Sequence, residues 1–246
     1  MIFVDLSHNE RIQTFPDRIF QNTNMDMLVS FNSPTDDLTD FPLEEHNLVV
    51  LGHPRPVNET ESLFTRQEVK NITSYVARGG NLLLTSGARG DYNFEPSFGS
   101  LRAFSHLTGI TQFHYAMLFH QQAHKYLTKR WNLVIDVFPD HPIFQEMTPQ
   151  DSIVLGKSTY FTVRPSHTPT VLLSDPNTQS HNYATKTKQR VGAVPILTAV
   201  EYGQGRVVTV ASSSFLTRDP SNGVTVESNT KLLQGICRWL LSEEGS

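Results

Sequence analysis

Cysteine is almost absent. The 246-residue sequence holds one, Cys237, which excludes an internal disulfide framework and any multi-cysteine metal site. Charge is sparse too. Asp, Glu, Lys and Arg make up 18% of residues, below the usual level of about 25%. Twenty basic against 24 acidic side chains give a formal net charge of −4. That balance excludes a bulk polyanion binder, though not a local basic patch. Long apolar runs are missing. The longest, such as Leu48–Leu51 and Val207–Val210, reach about five residues, where a membrane span needs about twenty. The opening Met1-Ile2-Phe3-Val4-Asp5-Leu6 has no basic stretch before its apolar run, unlike a secretory signal. These features predict no direct membrane insertion and a cytoplasmic location. No repeat, low-complexity tract or dividing linker interrupts the chain.

What is present suits a packed core. Hydrophobic residues are 38% and aromatics 10%, too many for wholesale disorder. A chain of this length buries roughly 70–75% of its unfolded surface. We therefore expect one α/β domain spanning residues 1–246.

Ile2–Leu6, Met27–Phe31 and Leu48–Gly52 read as short apolar strands bounded by turn residues, the pattern of a parallel sheet covered on both faces. Thr65–Gly80 is the clearest helix. Thr65 and Glu68 have capping-box spacing, Val69, Ile72 and Val76 share a face, and Gly79-Gly80 stops it. Leu82–Leu84 follows at once as a strand, giving half of a crossover unit. Ser97–Gly109 reads as a second helix. Leu133–Phe138, Tyr160–Val163 and Val171–Ser174 read as strands, and residues 175–190 as an exposed polar loop. Ile196–Glu201 and Arg206–Val210 form a hairpin around Gly203-Gln204-Gly205. Ser228–Leu241 is the last helix, burying Leu232, Leu233, Ile236, Trp239 and Leu240.

Four stretches together resemble the glutamine-amidotransferase-like superfamily. They are Phe3-Val4-Asp5-Leu6-Ser7-His8-Asn9, the segment Phe64–Asp91 with its Gly-Gly-Asn-Leu-Leu-Leu core, Asp140-His141-Pro142-Ile143-Phe144, and Tyr202–Leu241. The resemblance is to a non-catalytic branch. That branch includes the domain of unknown function numbered 4350, gliding-motility transporter accessory proteins and the N-terminal domain of an intraflagellar-transport subunit. It implies a flavodoxin-like three-layer sandwich with a mainly parallel sheet and antiparallel additions in the C-terminal half. It also implies an assembly role with a protein partner, as part of a larger complex. Fold alone does not license function.

Amidotransferase chemistry needs a cysteine on a tight strand-to-helix elbow, paired with a histidine. Here the elbow region is Thr85-Ser86-Gly87-Ala88, with no cysteine and without the glycines two residues before and after the nucleophile. No catalytic residue and no cofactor is therefore expected. The binding candidates are Asp5, Ser7 and His8 after the first strand, with Ser86 and Arg89 after Leu82–Leu84. Ligands of open α/β sheets gather at that edge. A plainer reading makes His8 a turn-fixing side chain. The loop Gly87–Asp91 could hold an anion through backbone donors and Arg89.

Alternatives remain. Ser86 could be a serine nucleophile. His120 and His124, if helical, would share a face and suit a zinc ion, though Gln121 stands where a protease motif needs Glu. A carbohydrate- or small-ligand-binding domain is a third reading. Asp140-His141-Pro142 reads as a capping turn. The one basic run, Lys186-Thr187-Lys188-Gln189-Arg190, lacks stacking aromatics, so no nucleic-acid partner is expected.

Overall fold

The computed structural model describes residues 1–8, 19–20, 27–54, 64–90, 101–164 and 170–242. The apolar segments of the first half become parallel neighbours. Strands β1 (Ile2–Asp5), β2 (Val29–Phe31), β3 (Leu48–Leu51) and β4 (Asn81–Thr85) pair in the order β4-β3-β1-β2. All four residues of β1 and of β3 are buried. That is the signature of strands covered on both faces, and it explains why they read as continuous apolar runs rather than alternations.

The rest of the sheet comes from the C-terminal half. Strand β14 (Gly205–Val210) lies parallel to β4, and β13 (Pro195–Tyr202) returns antiparallel to β14. Strand β10 (Thr170–Leu173) closes the sheet antiparallel to β13. The seven strands run β10-β13-β14-β4-β3-β1-β2. This is a mixed α/β fold of flavodoxin-like type, and its antiparallel additions fall in the second half, as expected.

Helix α1 (Arg66–Ala77) carries the capping box in full. The Glu68 N–H donates to Thr65 Oγ1 at 3.2 Å, and the Thr65 N–H donates to Glu68 Oε2 at 2.7 Å. Both bonds satisfy donors that a helix start leaves unpaired. The helix ends at Gly79, whose φ of +105° suits glycine. Gly80 is needed for a different reason. The Tyr75 ring lies so close that a Cβ there would meet it at 2.3 Å. Tyr75 Oη donates to the His46 carbonyl at 3.0 Å, and burial raises the pKa of that phenol well above its ordinary value against the opposing bond at Asn81.

Helix α3 (Asn229–Leu241) buries Leu232, Leu233, Ile236, Cys237, Trp239 and Leu240. Gly235 lies against the Ile143 carbonyl, where a Cβ would approach to 1.9 Å. That carbonyl belongs to a 3₁₀ turn, Pro142–Phe144, capped by His141, whose Nδ1 accepts from the Ile143 N–H at 3.2 Å. Asp140-His141-Pro142 is thus a capping turn, in line with the sequence expectation.

The middle of the chain differs most from expectation. Residues 101–104 are 3₁₀, and α2 (Ser105–Thr108) is a single turn ended by Gly109 at φ +69°; residues 97–100 lie outside the described residues. Strands β5 (Ile110–Phe113) and β9 (Phe161–Val163) pair, as do β7 (Asn132–Ile135) and β8 (Ile153–Gly156). Residues 175–190 are not a loop. They contain β11 (Gln179–Asn182) and β12 (Lys188–Arg190), joined to β6 (Ala116–Phe119) in a three-stranded antiparallel sheet. All three residues of β12 are exposed, so no apolar alternation marks it as a strand. Residues 120–124 are not α-helical either. Strand β6 runs to Phe119, and only a 3₁₀ turn, Ala123–Lys125, follows.

Candidate functional site

The five parallel strands β14, β4, β3, β1 and β2 end along one edge. Chain order reverses between β3 and β1, which makes that position a topological switch point where ligands of open sheets usually lie. The residues after each strand meet there.

After β1, three side chains converge as the sequence predicts. Ser7 Oγ donates to Asp5 Oδ1 at 2.7 Å, and His8 Nδ1 sits 2.5 Å from Asp5 Oδ2. Two further residues complete the cluster. Asn32, just past β2, donates through Nδ2 to Asp5 Oδ1 at 2.7 Å and accepts the Leu6 N–H at 2.7 Å. Glu68, in the first turn of α1, places Oε1 at 3.3 Å from His8 Nε2. His8 is therefore held by a carboxylate on each ring nitrogen. Burial opposes ionisation of Glu68. Bonds from His8 and from the backbone N–H groups of Leu38 and Thr65 outweigh it and hold the carboxyl down at about 2. Sequence reasoning found Glu68 as a cap but missed it as a partner of His8. Asn32 left no local signal.

Ser86 follows β4 and is fully buried, with no hydrogen-bond partner for Oγ. Its strand stands two places from β1, about 10 Å across the sheet. With both nitrogens of His8 engaged by carboxylates, His8 is not poised as a base for Ser86. His53, the second residue after β3, is also fully buried. Its Nδ1 lies 2.9 Å from where a Cβ on Gly87 would stand, so only glycine fits at that position without displacement. His53 could have been found by the rule that found His8, the first polar side chains after an apolar strand.

Arg89 is exposed, with a left-handed φ of +87°. Its guanidinium stands 5.2 Å from the Tyr183 ring centroid, so it faces the three-stranded sheet. Four of the backbone donors that this loop could offer an anion are already in use. The N–H groups of Ser86, Ala88, Arg89 and Gly90 donate to the carbonyls of Val210, Lys157, Ala116 and Gly87. Donors already committed to protein carbonyls cannot hold an anion. Asp91 lies outside the described residues.

The zinc arrangement of His120 and His124 loses its premise with the missing helix. His120 is buried, with Nε2 at 3.2 Å from Asp175 Oδ1 and Nδ1 accepting from the Gln122 N–H at 3.0 Å. His124 is exposed. Among the described residues no group of three or more His, Cys, Asp or Glu is placed to hold a metal. Cys237 lies in the core, where burial pushes its thiol up to about 12, far from the reactive range. No helix among the described residues is long and apolar enough to cross a membrane.

The strand order is that of a flavodoxin-like α/β sheet, and the turn after β4 carries a serine sealed from solvent. Solved structures agree on the fold. The mmIFT52 N-terminal domain is similar at 15% identity with a TM-score of 0.72, covering 100% of both chains. A ThuA-like protein from Parabacteroides merdae (13% identity, TM-score 0.57) covers 98% of this chain and 89% of its own. Another from Bacteroides uniformis (16% identity, TM-score 0.55) covers 98% and 91%. At these identities the likeness is one of fold. No family model and no curated protein matches the chain.

Proposed function

We propose that residues 1–246 form a single non-catalytic amidotransferase-like domain that serves as an assembly module, binding a protein partner within a larger cytoplasmic complex. It takes no cofactor and no nucleic acid in this reading. One observation carries it. The two side chains best placed for chemistry at the switch point are withdrawn from it, with His8 clamped between Asp5 and Glu68 and Ser86 sealed in the core. The cluster ties β1, β2 and α1 together, so it stiffens the edge whose loops would meet a partner. Full-length fold similarity to the mmIFT52 N-terminal domain supports the same reading.

The test is recovery of the tagged chain at native expression from its own host, followed by light scattering and partner identification. A stable assembly well above the 27.7 kDa of the chain is expected. A fluorophosphonate probe should leave Ser86 unlabelled. A monomer in the native extract, or an adduct at Ser86 lost in Ser86→Ala, would overturn the reading.

A further inference from the structure

The carboxyl edge has a second region, at its far end. Strand β10 is antiparallel to β13, which is antiparallel to β14, so β10 finishes on the same edge as the parallel strands. Between its end and the end of β7 lies a cleft of about 360 Å³. That is at the lower end of the roughly 300–1,000 Å³ typical of ligand pockets.

The cleft is apolar and its rim is uncovered. Val137 is 76% exposed and Leu173 is 46% exposed, two of the five large apolar side chains exposed among the described residues. The wall is preformed, because Phe138 stacks on Phe144 with centroids 5.6 Å apart. Apolar surface that spills past a concavity suits a polypeptide better than a small ligand, which pockets enclose almost wholly.

The polar end is charged. Lys125 Nζ lies 2.9 and 2.8 Å from the two oxygens of Asp136 and 3.6 Å from Asp175 Oδ2. His120 holds the other Asp175 oxygen. The lining contains two carboxylates and one ammonium, leaving one negative charge over with histidine counted as neutral. The Asp136 side chain is 44% exposed and can accept from a further cation. Arg190 is not itself part of the lining, but its Nε and Nη2 donate to the carbonyl of Pro176, which is, next in sequence to Asp175; Asp136 is thus the carboxylate left open to a partner's cation.

We propose that this cleft docks an extended segment of a protein partner, seating one or two large apolar side chains between Val137 and Leu173 and placing a lysine or arginine on Asp136. The proposal rests on the assembly reading and names the surface and the partner's chemistry. Among the described residues strand β10 is the last of its sheet, so the segment would run along that end of the sheet, a familiar peptide-binding setting.

The test selects a displayed library of random dodecapeptides against the intact chain. Enriched peptides are then synthesised and titrated. Expected are sequences with a large apolar residue within about three positions of Lys or Arg, with affinity falling at least about tenfold in Val137→Asp and in Leu173→Asp. Asp136→Asn should weaken them about three- to tenfold and flatten their salt dependence. Ala193→Trp, which fills the cleft from its rim, is a second obstruction that leaves both apolar anchors in place, and it should block binding too. No enrichment, acidic consensus peptides, or affinities unchanged in all four cleft variants would overturn the proposal. So would concentration-dependent dimerisation of the wild type that Val137→Asp abolishes, since the occupant would then be a second copy. The two readings fail separately. A native assembly that survives Val137→Asp removes this cleft and leaves the assembly role, whereas a native monomer removes the assembly role whatever the peptides do.

Discussion

The two ends of one sheet edge are built by opposite rules. At the β1 end, a polar cluster is turned inward and matched, with Asp5, Asn32, Glu68 and His8 satisfying one another. At the β10 end, about 24 Å away across five strand spacings, Val137 and Leu173 are left in water. The first arrangement resists change and the second invites contact. An edge that in related folds hosts chemistry is here divided between a brace and a landing surface.

The sharpest way to break that contrast is Asp5→Ala. It leaves Asn32 and His8 without their buried acceptor, and a loss of about 3–5 kcal/mol is expected in chemical denaturation. A loss below about 1 kcal/mol would mean that the cluster is not a brace. Glu68→Gln comes next, at about 1–3 kcal/mol, and it carries a pH signature. Because the folded carboxyl is depressed from 4.5 to about 2, its stabilisation is complete above pH 4.5 and is lost as pH falls towards 2. Denaturation midpoints measured across that window should fall less steeply in the variant than in the wild type.

Ser86→Ala should change stability by less than about 1 kcal/mol, since its buried hydroxyl bonds nothing. A large loss would reveal a hidden role for that oxygen. Val137→Asp sits at the bottom of the scale, within about 0.5 kcal/mol of wild type in thermal melts. The ordering is the content of the comparison: stability responds at one end, and binding at the other.

Much of this architecture is legible in the chain. The strands β1, β3 and β4 show as unbroken apolar runs, and α1 announces its start through Thr65 and Glu68. What escapes is decided by distant partners. Strand β12 has no apolar face to reveal it, and β11 buries only Ser180, through its pairing with β6. A helix over residues 120–124 would put His120 and His124 on one face, but β6 carries the backbone extended up to Phe119 and only a 3₁₀ turn follows. At the site, Asp5, Ser7 and His8 lie within four consecutive residues, so the sequence shows them together. Asn32 and Glu68 come from other elements and could not be. Arg89 and Ser86 lie three residues apart, but one faces solvent and the other the core. The cleft escapes for the same reason, since nothing in Val137 or Leu173 says that they line one cavity.

Gly235 has a consequence of its own. Its missing side chain cuts a notch in the last helix, and the Ile143 carbonyl drops into it. A helix keyed in this way can neither slide along its axis nor roll without lifting off the body. The C-terminal segment is thereby locked in one register, and even a single methyl group at that notch would act as a wedge.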